Sequence, residues 1–114
     1  MFPNLRLGDL IMYVSLNSVS EGQFSNEYAL SVRNFEGDLT SGFFEKKYVK
    51  DNKLVVKVLS DVRKNTILIE VPGQFINGEE ATGSGRYINV KRSDLFIEKS
   101  NKEFVDLDEY FSAA

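Results

Sequence analysis

The stretch that most constrains this chain is Gly85-Arg-Tyr-Ile-Asn-Val-Lys-Arg-Ser-Asp-Leu-Phe-Ile97. Ile88 and Val90 alternate with Tyr87, Asn89 and Lys91, so one side is apolar and the other polar. That is the period of a half-buried strand, not of a helix. Ser93 and Asp94 interrupt it, because their side chains hydrogen-bond to nearby main chain and favour a turn. Leu95-Phe-Ile97 then resumes as a short apolar strand. The segment therefore predicts two strands joined by one tight turn.

The same alternation recurs upstream. Residues 9–15 read as a first strand, with Leu10, Met12 and Val14 on one face and Ile11 and Tyr13 on the other. Residues 17–26, rich in Ser, Asn and Gly, predict a loop with a helical turn begun at Ser18 or Ser20. Residues 28–33 alternate again, and residues 34–42, with Gly37 and Gly42, predict a turn-rich connection. Residues 45–50 and 53–59 flank Asp51-Asn52, a pair that tolerates left-handed backbone and suits a two-residue hairpin. A second hairpin has residues 60–65 as its loop and 66–71 as its return strand, ended by Pro72-Gly73 because proline cannot donate to a ladder. Asn77-Gly78 is a further tight-turn signal. The apolar faces predict a core of Leu10, Met12, Val14, Leu54, Val56, Val58, Ile67, Ile69, Val71, Ile88 and Val90. Short strands with turns between them and no long helical pattern indicate a mainly β fold, a small antiparallel barrel with a short C-terminal helix.

The tail carries that helix. Ser100-Asn-Lys-Glu103 fits a capping box, in which the Ser and Glu side chains each satisfy a backbone N–H at a helix start. Phe104, Leu107 and Phe111 then fall at i, i+3 and i+7, with Tyr110 beside them, while Glu103, Asp106, Asp108 and Glu109 take other positions. The chain divides on this reading into a barrel over residues 1–99 and an acidic amphipathic tail over 100–114. A helix this short needs something to cover its stripe. The cover is the chain's own barrel, a second copy, or a partner's groove, with Phe104, Leu107, Tyr110 and Phe111 as the docking residues.

Catalytic chemistry has little to work with. The chain has no His and no Cys, so the usual general base, the thiolate nucleophile and the commonest zinc ligands are missing. Asp106, Asp108 and Glu109 lack the glycine-centred pattern of a Ca²⁺ loop. The Gly-rich run from Gly78 to Gly85 has Ser84 where a phosphate loop needs lysine, and a strand follows it instead of a helix. The expectation is a protein that is not an enzyme and uses no cofactor or metal. The best apolar run near the start, residues 10–14, is too short to span a membrane and is not followed by a small-residue cleavage site. With no cysteine to suggest an oxidising compartment, the expected setting is cytoplasmic.

Charge is distributed unevenly. Residues 45–64 carry seven basic and three acidic side chains, and residues 94–114 carry two basic and six acidic, within a chain of net charge −3. A two-residue turn at Asp51-Asn52 would pair Lys50 with Lys53, Tyr48 with Val55 and Lys46 with Lys57 on one face, leaving Val49, Leu54 and Val56 on the other. Like charges directly opposite each other are destabilising, so two lysine pairs around a tyrosine read as a surface for an anion. Edge lysines that merely discourage aggregation are the alternative. As a binding surface the candidates are Lys46, Tyr48, Lys50, Lys53 and Lys57 with Arg63 and Lys64, facing nucleic acid, an acidic protein surface or the chain's own acidic tail.

The opening strand Gly8-Asp-Leu-Ile-Met-Tyr-Val14 and the closing pair from Tyr87 to Ile97 resemble those of SH3-like barrels of the broad KOW and Tudor type. The resemblance covers the fold, not a site. The glycines that follow the first strand of a KOW motif are replaced by Ser15-Leu-Asn-Ser18, the chain has no Trp, and an aromatic cage of the Tudor kind has no evident position. Such modules dock proteins or nucleic acids in transcription, translation and chromatin. Mild acidity, the amphipathic tail and the absence of catalytic groups lead to the expectation of a small non-enzymatic protein-interaction module, such as a bacterial or bacteriophage accessory factor. A nucleic-acid-binding barrel that uses the lysine hairpin and Tyr48 for stacking is the second expectation, and an assembly subunit of a larger particle is the third. A protein partner, nucleic acid, and self-association through the C-terminal helix are the expected contacts, and no membrane is.

Overall fold

A computed structural model describes residues 11–75 and 85–112. Leu10 and the start of the opening strand, and the Asn77-Gly78 turn, lie outside the described residues. The chain runs β1 (Met12–Ser15), β2 (Ser18–Glu21), β3 (Glu27–Arg33) and β4 (Leu39–Glu45), then a 3-10 turn at Lys46–Tyr48. It continues through β5 (Val49–Lys50), β6 (Lys53–Val58), β7 (Thr66–Glu70) and β8 (Tyr87–Lys91) to a second 3-10 turn at Arg92–Asp94. β9 (Leu95–Glu98), β10 (Phe104–Asp106) and α1 (Leu107–Ser112) complete it.

All pairing is antiparallel. A seven-stranded sheet has the order β10-β9-β1-β6-β7-β8, with β5 also on β6, and a three-stranded sheet has the order β2-β3-β4. The strand–turn–strand joint at residues 87–98 forms as its alternation predicts, with the break at Arg92–Asp94. The hairpin at Asp51-Asn52 forms too. Both residues have positive φ, 52° and 62°, the backbone a twist-matched two-residue turn needs.

The inward faces of both sheets meet in one core. Met12, Val14, Leu54, Val56, Ile67, Ile69, Ile88 and Val90 of the large sheet are buried with Leu30, Val32 and Phe44 of the small one. Val58, expected among them, is only partly buried. β4 of the small sheet also meets the segment that follows β7, through an isolated bridge between Gly42 and Phe75. A Cβ on Gly42 would lie 2.8 Å from the Gln74 carbonyl oxygen, so glycine permits this approach. Strand pairing among the described residues closes neither sheet into a barrel. The large sheet ends at β8 and β10, and the small sheet covers its apolar face instead.

Three sequence expectations are corrected. Residues 18–21 form a strand in place of a loop with a helical turn, because Val19 packs against the core and Ser18 Oγ lies 2.7 Å from Ser31 Oγ across the pair. Residues 39–42 belong to β4, and the turn is confined to residues 34–38, where the Asp38 N–H donates to Asn34 Oδ1 at 2.9 Å and Gly37 has φ 97°. In both segments, serines, threonine and glycine hide the alternation. Ser100 caps no helix: residues 99–103 are the β9–β10 turn, with Lys102 at φ 69° and the Lys99 N–H donating to the Glu103 carbonyl at 2.8 Å. The helix starts at Leu107, capped by Asp106 Oδ1, which accepts the Glu109 N–H at 2.7 Å. That is the ordinary role of Asp at an N-cap.

Candidate binding groove

The outward face of the large sheet carries the chemistry. Alternation that buries Met12, Leu54, Val56 and Ile69 turns Tyr13, Val55, Lys57 and Glu70 to the other side. The register sets Tyr13 opposite Val55 and Lys57 opposite Glu70. The 3-10 turn at residues 46–48 stands along one flank and Pro72 along another. Together they enclose a groove of about 700 Å³. Its floor includes Tyr13, Tyr48 and Val55, and its charged side chains are Lys47, Lys50, Lys57, Arg86 and Glu70.

The groove adjoins a half-buried network. Tyr13 Oη donates to Glu98 Oε1 at 3.1 Å, and Lys50 Nζ pairs with Glu98 Oε2. Burial, then the hydrogen bond and charge of Glu98, push the Tyr13 hydroxyl up to about 12. The Lys50 hydrogen bond holds the Glu98 carboxyl below its usual range, with the Tyr13 hydroxyl adding to it against some desolvation. Beyond this network, Lys53 Nζ sits 4.9 Å from the Phe96 ring centre and 4.7 Å from that of Phe104, a cation held on two aromatic faces.

Of the seven hairpin and loop candidates, the groove takes Tyr48, Lys50 and Lys57. The expected register beyond Val49 does not form, because residues 46–48 turn the chain from one sheet to the other. Lys46 therefore points elsewhere, 2.7 Å from Glu21 Oε1 and over the Tyr28 ring. Lys53 is occupied by its aromatic pair. Arg63 and Lys64 lie in the 60–65 loop, where Arg63 grips Asp61 through two nitrogens at 3.0 Å. That grip drops the Asp61 carboxyl to about 2.

Lys47, Glu70, Arg86 and Tyr13 belong to the groove and are not among the residues that the sequence singles out. Strand alternation would have turned Lys47 inward, and the 3-10 turn brings it out. Arg86 arrives through a long-range contact, the Val71 N–H donating to its carbonyl at 2.9 Å, which no local pattern signals.

The C-terminal candidates are placed differently. Phe104 lies on the outer sheet face, edge-on to Tyr13 with ring centres 5.0 Å apart. Leu107 is 1% exposed and belongs to the core, while Tyr110 and Phe111 pack partly buried against it. Among the described residues no group of three or more His, Cys, Asp or Glu side chains converges to hold a metal ion. No described helix is long and apolar enough to cross a membrane. Neither a protein-family model, nor a curated protein, nor a solved structure matches the chain.

Proposed function

We propose that this chain is a small non-enzymatic interaction module that holds an acidic segment of a protein partner in the groove over Tyr13, Tyr48 and Val55. The observation that carries the reading is an apolar floor in a groove that four cations and one carboxylate also line. An apolar anchor side chain would desolvate the floor, and carboxylates beside it would meet Lys47, Lys50, Lys57 and Arg86. Such complementarity steers encounter and sets register more than it adds affinity.

Nucleic acid is the less favoured occupant. The candidate cations do not share one surface: Lys46 faces Glu21 and Arg63 faces Asp61, and neither lines the groove. A phosphate backbone draws its affinity from many cations together, whereas a protein segment draws much of its affinity from the apolar floor. An SH3-like architecture, built on β1 and the β8–β9 joint, and a cytoplasmic accessory or assembly role belong to the same proposal.

The test is an NMR titration with a synthetic peptide in which an aromatic residue is flanked by spaced glutamates. Shifts should concentrate at Tyr13, Tyr48, Val55 and Lys57. Lys47→Glu with Lys57→Glu should weaken binding by about tenfold or more while the protein stays folded. Shifts scattered away from the groove, or binding indifferent to the double substitution, would remove the proposal.

A further inference from the structure

We propose that Glu70 is a specificity residue, which lets the groove accept separated carboxylates and turn away a continuous polyphosphate chain. The inference rests on the groove being the binding surface. Glu70 is the one acidic side chain among the described residues that line it. β7 lies between β6 and β8, and Glu70 stands between a cation on each side. Lys57 is its cross-strand neighbour, and Arg86 Nη1 is 3.7 Å from its Oε2. The carboxylate thus stands between two of the groove's four cations.

Charge pattern makes that position selective. Every nucleotide carries a phosphate, so a strand crossing the groove has no neutral unit to place over Glu70. An extended peptide presents same-side residues about 6.6 Å apart and can place a neutral or apolar side chain over Glu70, with carboxylates reaching the cations on either side. Like-charge juxtaposition of this kind is how interfaces reject wrong partners. Glutamine keeps the shape of Glu70 and removes only its charge.

Fluorescence anisotropy with two probes tests this, a short thymidine oligonucleotide and the spaced-glutamate peptide. Glu70→Gln should raise affinity for the oligonucleotide by about tenfold and change affinity for the peptide much less. Glu103→Gln, the same change of net charge in the β9–β10 turn, should leave oligonucleotide binding as it was. An unchanged oligonucleotide affinity in Glu70→Gln, or an equal gain in Glu103→Gln, would overturn the assignment. If the oligonucleotide gains affinity but the wild-type chain does not bind the peptide, Glu70 keeps its role and the protein-partner reading is what fails.

Discussion

The lysine hairpin and the C-terminal segment both read, in sequence, as surfaces in want of a partner, and the fold treats them in opposite ways. The C-terminal apolar residues are largely absorbed. β10 adds to β9, Val105 and Leu107 enter the interior, and Tyr110 and Phe111 lie against it. The hairpin cations gain carboxylate or aromatic neighbours but stay at the surface, and Lys50 and Lys57 still line a groove. The difference follows from the two kinds of interaction. Burying a large apolar side chain stabilises by roughly 1.5–3 kcal/mol, so a fold rarely leaves such a stripe uncovered. An exposed ion pair contributes about 0.2–1 kcal/mol, so its cation can be handed to a ligand carboxylate at little cost. Apolar demand is settled within the chain, and charge remains available for exchange.

The sharpest way to break that contrast is Leu107→Ala. If the C-terminal segment is core, urea unfolding should show a loss of about 2–5 kcal/mol, the range for deleting a buried leucine side chain. A loss below ~0.5 kcal/mol would mean that the segment is peripheral, and would return it to the role of a docking peptide. A smaller effect is expected at the cap. Asp106→Ala removes the acceptor for the Glu109 N–H and should cost about 1 kcal/mol, whereas Ser100→Ala, at the position the sequence pattern favours for a cap, should cost almost nothing.

That contrast between Asp106 and Ser100 shows where the sequence is legible. Strong alternation with β-branched residues, as at Ile88 and Val90 or Leu54 and Val56, identifies strands and inward faces, because burial of one side leaves no other register. The turn at Asp51-Asn52 is legible from its tolerance of left-handed backbone. β2 and β4 are not, since their serines and glycine carry little hydropathy signal. Ser100 and Glu103 satisfy a helix-start pattern that a hairpin turn also satisfies, and only the pairing of Phe104 and Val105 with β9 decides between them. The groove is the least legible part. It assembles Tyr13, Lys47, Lys57, Glu70 and Arg86 from five separate stretches, and local patterning can announce only the lysines of one hairpin.

The smallest expected effect probes the hairpin side, at the Lys50–Glu98–Tyr13 network. The folded-state pKa of Glu98 is depressed, so its contribution to stability is complete above the unfolded value, about 4.3, and is lost as pH falls through the lower folded value. Glu98→Gln removes that contribution. The wild-type advantage in urea midpoint should therefore be present at neutral pH and shrink in acid below about pH 4. Because the Lys50 side chain is 41% exposed, the advantage should stay under about 1 kcal/mol. Tyr13 supplies an independent readout at the other end of the scale. Its hydroxyl ionises near 12 in the wild-type chain, and ultraviolet titration of Glu98→Gln should move that midpoint down. It should still lie above 10, the ordinary tyrosine value, because burial is the first cause of its rise and survives the substitution. A fall all the way to 10 would mean that Glu98 alone held the proton. An acid-side loss of several kcal/mol would mean that the hairpin charges are as integral to the fold as the C-terminal apolar residues, and the contrast between the two regions would disappear.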